Sequence, residues 1–191
     1  MIQATIDAIR NGQSDAYSSI VRHYQRPIYI YCCRLLGDDT EAEDAAQDIF
    51  VKAYRSIGRY EPTGSFSSWL YSIAYRHCLN ILRRRKLQRK LQGLIMRDDR
   101  MPGPETLVDE RTFSPPLEDA LRRLSAFERS LLVLSVFEEK TYPEIAAIIG
   151  KNPDAVKKRI GRAKRKLRAM LEEDGEVEAW NKQETLWQTR S

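Results

Sequence analysis

The chain has 191 residues, of which 42% are hydrophobic and 31% charged, so it is long enough for one ordinary domain or two small ones and too apolar to be disordered. Its net charge of +5 favours a polyanionic partner only where the positive charge is clustered, because 27 acidic residues accompany the 32 basic ones. No apolar run approaches the roughly 18 residues of a membrane span, and Asp7, Arg10 and Asp15 stand where a signal peptide would have its apolar core, so we expect a cytoplasmic protein that does not insert into a membrane.

Two helices are predicted at the amino terminus. The first covers residues 2–10 and ends at an Asn-Gly pair. The second begins near Ser14 and carries an apolar stripe as far as Gly37, with Pro27 in its middle. Because proline lacks an amide hydrogen and clashes with the preceding turn, this helix either kinks or restarts before Ile28.

A third helix is predicted to open at Thr40 and Glu43, which have the spacing of a capping box. Its apolar residues then recur with the helical period and define a buried side: Ala42, Ala45, Ala46, Ile49, Phe50, Ala53 and Ile57. The opposite side carries Asp44, Asp48, Val51 and Arg55. We expect this outer side to be available to a partner.

A fourth helix is predicted to follow the loop 58–65, with Ser65 as its cap. It runs into RRRKLQRK at 83–90, which holds six positive groups in eight residues. One side is expected to be buried: Phe66, Trp69, Leu70, Ile73, Ala74 and Ile81. The other is expected to be exposed: Ser72, Tyr75, Arg76, Leu79 and Arg83. His77 lies on the buried side, where a core histidine is commoner than a ligand or a catalyst.

The cysteines Cys32, Cys33 and Cys78 are odd in number and lack the CxxC spacing of metal or redox motifs. We therefore expect reduced thiols, no metal site and no cofactor.

The stretch 93–116 holds four of the eight prolines and little helical period, so it is predicted to be a linker between two domains. Beyond it, two short apolar patterns predict two helices, built on Leu117, Ala120, Leu121 and Leu124 and on Leu131, Leu132, Leu134 and Phe137. Thr141 and Glu144 form a second capping-box pattern, which opens a helix that ends at Gly150. Asn152 can cap the next helix after a turn of only three residues, which is the spacing of a helix-turn-helix.

The second helix of that pair is strongly basic, since NPDAVKKRIGRAKRKL at 152–167 holds seven Lys or Arg and one acidic residue. Its inner stripe is predicted to be Val156, Ile160, Ala163, Leu167 and Leu171, which leaves Lys157, Lys158, Arg159, Gly161, Arg162 and Arg165 outside. Cations in the first two turns do not complement the helix dipole, whereas the amino-terminal turns of a recognition helix enter the major groove. The pattern therefore predicts DNA binding. Lys164, Lys166 and Arg168 are equally consistent with a solvated, dipole-complementing helix end.

Catalytic motifs are missing from the sequence: it contains no GxxxxGK[ST], no GxSxG and no HExxH. We therefore do not expect an enzyme. The predicted fold class is all-α, with two small helical domains joined by a flexible linker and a helix-turn-helix in the second.

Three segments in order resemble the extracytoplasmic-function (ECF) group of bacterial sigma factors, in the sigma-70 family. EAEDAAQDIFVKAY at 41–54 resembles the helix that binds core RNA polymerase. SFSSWLYSIAYRHCLNILRRRK at 65–86 resembles the helix that melts and reads the minus-ten element. YPEIAAIIGKNPDAVKKRIGRAKRKL at 142–167 resembles the helix-turn-helix that reads the minus-thirty-five element.

The resemblance implies a set of contacts. Core polymerase, through the coiled coil of its largest subunit, is expected to meet Asp44, Gln47, Asp48 and Val51. The melted minus-ten strand is expected to meet Tyr60 and Ser65 in the loop, and Ser72, Tyr75, Arg76, Asn80 and Arg83 on the following helix. The minus-thirty-five element is expected to meet Lys157, Lys158, Arg159, Arg162 and Arg165.

The implied organisation is an N-terminal sigma domain at 1–92, a linker at 93–116, a C-terminal sigma domain at 117–172 and a tail at 173–191. The tail is either a frayed extension or a docking segment for a regulator. We expect the chain to be monomeric when free, and the resemblance implies that an anti-sigma factor holds it in a stress or envelope response. Two other hypotheses stay open: a dimeric helix-turn-helix regulator that needs no polymerase, and a helical adaptor without a nucleic-acid role.

Overall fold

The computed structural model describes residues 2–61, 64–92 and 113–175. The helices, in chain order, are α1 (Ile2–Arg10), α2 (Tyr17–Leu36), α3 (Asp39–Ser56), α4 (Phe66–Gln92), α5 (Pro115–Arg123), α6 (Ala126–Leu132), α7 (Tyr142–Ile149) and α8 (Pro153–Glu173). Short helical turns lie at Ser14–Ala16, Ile57–Arg59 and Val133–Phe137. These described ranges contain no strand, and the all-α prediction is confirmed.

The chain divides into two compact units, Met1–Asp99 and Arg100–Ser191. The boundary falls inside the predicted linker. Most of that linker, residues 93–112, lies outside the described residues, as does the tail from residue 176 onward. Helix α5 begins at Pro115, two residues before Leu117, where the predicted linker ends and the helix was expected; proline suits the first turn of a helix.

The core of the first unit lies between α2, α3 and α4. Each helix contributes fully buried side chains: Ile20, Ile28, Tyr31 and Leu35 from α2, Ala42, Ala45, Ile49 and Ala53 from α3, and Leu70, Ala74 and Cys78 from α4. The Tyr31 and Tyr71 rings meet edge to face with centroids 5.3 Å apart. None of the three cysteines forms a disulfide, and Cys78 Sγ lies 3.7 Å from Cys32 Sγ.

Helix α2 runs through Pro27 without a break, so of the two predicted outcomes, a kink or a restart before Ile28, the restart does not occur. Proline removes one backbone hydrogen bond. Ile20 and Ile28, on either side of it, are both buried, so the two halves of the helix are held against the same core. The helix ends at Gly37, whose φ of 66° is left-handed, a conformation that glycine adopts without a steric penalty.

The start of α3 differs from the prediction. Its N-cap is Asp38, whose carboxylate accepts a hydrogen bond from the Glu41 amide at 2.8 Å. The expected capping box of Thr40 and Glu43 does not form, because both residues already lie inside the helix. The acidic residues at this end still complement the helix dipole.

In the second unit α8 packs against α5, α6 and α7. The predicted inner stripe of α8 is confirmed, since Val156, Ile160, Ala163, Leu167 and Leu171 are all buried. The predicted capping box of Thr141 and Glu144 is present. A second capping box, which was not predicted, joins Ser125 to Glu128 at the start of α6.

The helix-turn-helix prediction is also confirmed. Helix α7 ends at Gly150, with a left-handed φ of 68°. Asn152 then caps α8 by accepting the Asp154 amide at 2.8 Å, and Pro153 is the first residue of that helix. The short turn therefore fixes the direction in which the basic helix leaves α7.

Candidate nucleic-acid and protein interfaces

The outer face of α3 is exposed as predicted. Asp44, Gln47 and Asp48 are solvent-exposed, and 48% of Val51 is exposed. Tyr54 lies one turn further and is 44% exposed. Tyr54 was not among the predicted residues, although its three-residue step from Val51 places it on the same side of the helix. Carboxylates and two large apolar side chains thus share one surface.

Tyr54 is held in place by Tyr17 of α2. The two rings meet edge to face with centroids 5.0 Å apart. The Tyr17 hydroxyl donates a hydrogen bond of 2.7 Å to the Phe50 carbonyl oxygen, and burial raises the pKa of Tyr17. The phenol therefore remains a neutral donor, and Tyr54 presents a fixed ring to solvent.

Asp48 has further neighbours. Its Oδ2 lies 3.9 Å from Lys52 Nζ and 3.7 Å from Nε2 of His77, which comes from α4. Lys52 Nζ also contacts His77 Nδ1. Only 13% of the His77 side chain is exposed, which agrees with its predicted position on the buried side. A contact between α3 and α4 thus reaches one of the predicted polymerase-binding residues.

The loop before α4 places its two candidates differently. Tyr60 is buried, packs against the rings of Phe66 and Trp69, and donates a hydrogen bond of 3.1 Å to the Gly64 carbonyl oxygen. Ser65 is exposed, and its Oγ accepts the Ser68 amide at 3.0 Å, so its prediction as the cap of α4 is confirmed. The Tyr60 ring is therefore part of an aromatic cluster, while Ser65 faces solvent.

On α4 the predicted outer side is only partly exposed. Arg76, Asn80 and Arg83 are exposed, but Ser72, Tyr75 and Leu79 are buried, so the prediction that these three lie on an exposed side is wrong. The reason is that α4 packs against both α2 and α3, which gives it a wider buried arc than one stripe. Burial also raises the pKa of Tyr75.

Two of the arginines on α4 have protein partners. Arg76 folds back onto Ser72, with Nε 3.0 Å from the carbonyl oxygen and a terminal nitrogen 2.8 Å from Oγ. Arg85 donates to the Leu36 carbonyl oxygen at 2.8 Å and forms an ion pair with Glu41. Within the basic run at 83–90, Arg85 therefore has a structural role, since it joins α4 to α2 and α3.

The predicted reading face of α8 is confirmed as exposed: Lys157, Lys158, Arg159, Arg162 and Arg165 all face solvent. The Arg159 guanidinium lies 5.2 Å above the centre of the Phe127 ring, a cation–π arrangement that limits its rotation. Gly161 interrupts this face, and the space that a Cβ would occupy there is open.

The cations of α8 fall into two groups. Lys166 Nζ lies 3.3 Å from Glu128 Oε2, and Arg168 Nε lies 2.7 Å from Glu172 Oε1. Hydrogen bonds from Ser125, and the neighbouring Lys166, lower the pKa of Glu128, so it is ionised at neutral pH. Within the described residues no ion pair involves the five cations of the reading face. Positive charge is therefore available to a ligand mainly in the amino-terminal half of α8.

Within residues 2–61, 64–92 and 113–175 no helix is long and apolar enough to cross a membrane. The same part of the chain contains no group of three or more His, Cys, Asp or Glu side chains placed to hold a metal ion.

Comparisons with known proteins agree with this arrangement. Residues 20–88 match the family model of sigma-70 region 2, and residues 116–167 match that of sigma-70 region 4. The chain is 32% identical over 181 residues to the ECF RNA polymerase sigma factor SigW of Bacillus subtilis, covering 90% of this chain and 97% of that one. It is 32% identical over 160 residues to the ECF RNA polymerase sigma factor SigE of Mycolicibacterium smegmatis, covering 82% of this chain and 62% of that one.

Solved structures show the same fold. CnrH, in complex with the cytosolic domain of CnrY, superposes with a TM-score of 0.65 at 24% identity, over 90% of this chain and 97% of that one. The sigma factor RpoE, in complex with the anti-sigma factor NepR from Bartonella quintana, gives a TM-score of 0.64 at 22% identity, over 82% of this chain and 96% of that one.

A region 2 domain followed by a region 4 domain with a basic helix-turn-helix defines a two-domain sigma-70 protein. The chain belongs to the ECF RNA polymerase sigma factors of this family. The resemblance seen in the sequence is thereby confirmed, and the family is one of transcription factors, not enzymes.

Proposed function

We propose that this protein binds core RNA polymerase through the outer face of α3 and directs it to promoters through α4 and α8. The observation that carries the proposal is the division of charge on α8. The exposed cations of its reading face lack ion-pair partners within the described residues, whereas Lys166 and Arg168 are paired with carboxylates. A helix kept basic only for solubility has no physical reason for that division.

Docking of polymerase is assigned to Asp44, Gln47, Asp48 and Val51, with Tyr54 added from the structure. The carboxylates suit a partner surface that carries Lys or Arg, and an exposed aliphatic and aromatic pair suits the apolar centre of a protein interface. The coiled coil of the largest polymerase subunit, implied by the family resemblance, is the partner that we propose.

Contact with the minus-ten strand is assigned first to Arg76, Asn80 and Arg83. Steps of four and three residues place them along one side of α4, where they can reach phosphates and base edges. Ser65 remains our candidate for a displaced base, because it is exposed in the loop before the helix.

Three other minus-ten candidates, Tyr60, Ser72 and Tyr75, are buried in the chain on its own. A base can stack on either tyrosine only after the loop 58–65 or the surface of α4 has opened. We therefore propose that these three residues contact the strand in the polymerase complex and not before.

Recognition of the minus-thirty-five element is assigned to Lys157, Lys158, Arg159, Arg162 and Arg165. Their place on the second helix of a helix-turn-helix suits the major groove, where Lys and Arg donate to guanine edges or to phosphates. Phe127 stacks under Arg159, so this guanidinium loses less rotational freedom on binding.

Regulation by an anti-sigma factor, in a stress or envelope response, is proposed on the basis of the relatives. The structure of CnrH contains the cytosolic domain of CnrY, and that of RpoE contains the anti-sigma factor NepR. Affinity purification of the tagged chain from its own cells, with and without an envelope stress, tests this part. Release of a stoichiometric partner on stress is the expected result, and an unchanged set of partners would contradict it.

The central test is run-off transcription with purified core polymerase and a set of candidate promoters. Specific transcripts that need both core and this chain are the expected result. A dimer that shifts operator DNA without core, and gives no transcript with it, would instead support the dimeric regulator hypothesis. Gel filtration of the free chain separates that dimer from the monomer that we expect.

A further inference from the structure

Asp48, Lys52 and His77 form a three-residue cluster between α3 and α4. The two α3 residues are largely open to water, with 65% of the Asp48 side chain and 48% of the Lys52 side chain exposed. The imidazole from α4 is mostly enclosed and has one ring nitrogen near each of them: Nδ1 contacts Lys52 Nζ, and Nε2 lies 3.7 Å from Asp48 Oδ2. The fixed member of the cluster is therefore the histidine.

The contacts determine where the imidazole proton lies. A lysine ammonium can only donate hydrogen bonds, so Nδ1 beside it must be the accepting nitrogen. The proton of the neutral ring is then on Nε2, on the side of Asp48. Burial lowers the pKa of His77, and Lys52 and Arg84 lower it further, while Asp48 opposes them. The neutral ring is thus the dominant form at neutral pH.

We propose that His77 is a positioning residue for polymerase docking, which holds the Asp48 carboxylate in place on the outer face of α3. The inference rests on the docking role proposed above for Asp48. An aspartate free to rotate loses side-chain entropy when it binds, whereas one drawn toward an N–H group 3.7 Å away loses less. The ring can act in this way because α4 fixes it, while Lys52 ends in a long, mobile chain.

Protonation of His77 changes its contacts with both Lys52 and Asp48. An imidazolium donates from both nitrogens, so Nδ1 no longer accepts from Lys52 and the two cations repel each other. The Nε2–H group on the side of Asp48 now belongs to a positively charged ring, so it attracts the Asp48 carboxylate more strongly and offsets its negative charge. The carboxylate then has less charge to offer a cationic polymerase surface. Affinity for core should therefore decrease as the pH falls below about 6.5, the ordinary pKa of histidine.

The experiment measures affinity for core polymerase between pH 5.5 and pH 7.5 for the full chain and for His77→Gln, His77→Ala and Asp48→Ala. Glutamine can donate to Asp48 and accept from Lys52 but does not titrate, so the ratio of wild-type to His77→Gln affinity removes the pH dependence of the polymerase itself. We expect that ratio to fall about threefold to tenfold between pH 7.5 and pH 5.5. At pH 7.5, His77→Ala should bind about threefold more weakly than wild type, through the loss of side-chain order.

A fourth variant tests whether the histidine acts through the aspartate. If it does, His77→Ala combined with Asp48→Ala should bind no more weakly than Asp48→Ala alone. A constant ratio across the pH range, or an equal effect of His77→Ala with and without Asp48, would overturn the inference. Asp48→Ala with wild-type affinity would overturn both the inference and the docking role of Asp48, whereas failure of the wild-type chain to bind core at all would overturn the proposed function itself.

Discussion

The division of charge on α8 predicts that two pairs of basic residues, nine to ten residues apart on one helix, differ sharply in their effect on DNA binding. Lys157 and Lys158 are exposed in the first two turns, with no ion pair to any described residue. Lys166 and Arg168 are equally basic, but each already pairs with a carboxylate. We expect Lys157→Gln with Lys158→Gln to weaken promoter binding strongly, and Lys166→Gln with Arg168→Gln to change it less than about twofold.

The expected loss of DNA affinity for the Lys157 and Lys158 double variant follows from counterion release. Each phosphate contact to duplex DNA contributes about 0.9 to the slope of log affinity against log salt, so losing two contacts should reduce that slope by about 1.8. If the loss is purely electrostatic, the affinity falls by up to about sixtyfold at 0.1 M salt and by up to about twentyfold at 0.2 M. If either lysine contacts a base edge instead, the loss is about 1–3 kcal/mol per residue and depends little on salt.

The assay is fluorescence anisotropy of a labelled promoter fragment with polymerase reconstituted from core and each variant, at four salt concentrations. Glutamine preserves helix propensity, and thermal melting of each variant checks that the fold is retained. Equal losses for the two double variants would refute the reasoning, since both pairs would then act as general positive charge. The reasoning would also be refuted if the Lys157 and Lys158 double variant kept both the wild-type affinity and the wild-type slope of log affinity against log salt.

Three further outcomes are expected. Asp44→Ala with Asp48→Ala should weaken core binding about tenfold, which is about 1.4 kcal/mol, without unfolding the domain; a pull-down at wild-type level would contradict the docking face. Glu139 has a left-handed φ of 51°, so the free energy of unfolding of Glu139→Gly should exceed that of Glu139→Ala by up to about 1 kcal/mol; equal denaturation midpoints for the two variants would rule this out. Because burial and Lys52 lower the pKa of His77, the unfolded chain binds more protons, and stability should fall as the pH drops below about 6.5. Urea denaturation at pH 7.5 and pH 5.5 measures that loss, and an equal loss in His77→Gln would assign it to other groups.

The predictions that succeeded rest on patterns that a helix repeats along its length. The inner stripe of α8 recurs over five positions, and the Thr141 capping box has a fixed spacing, so neighbouring residues were enough to find them. The start of α3 was missed because Asp38, Asp39 and Thr40 are all good caps and stand in a row. The choice among them depends on Gly37, whose left-handed turn leaves Asp38 as the extended residue before the helix.

The candidate site was less predictable where it depends on packing between helices. Ser72 and Tyr75 were placed on an exposed side because the period of one stripe does not reveal that α4 packs against two helices. The contact between Asp48 and His77 joins residues 29 positions apart on different helices, and no local spacing indicates it. Tyr54 could have been found from its three-residue step after Val51.

Arg85 has a mechanical consequence for promoter opening. Its guanidinium ties α4 to the last carbonyl of α2 at Leu36 and to Glu41 in the first turn of α3. Up to this tie we expect α4 to move as a rigid rod, because Arg85 anchors it to both α2 and α3. Beyond Arg85, residues 86–91 are exposed on every side, and we expect this end of α4 to bend more easily. A force applied to α4 by a DNA strand bound at Arg83 would be transmitted through Arg85 to the end of α2 and the start of α3. Tension on the DNA would therefore act on α3, the helix that we propose binds polymerase.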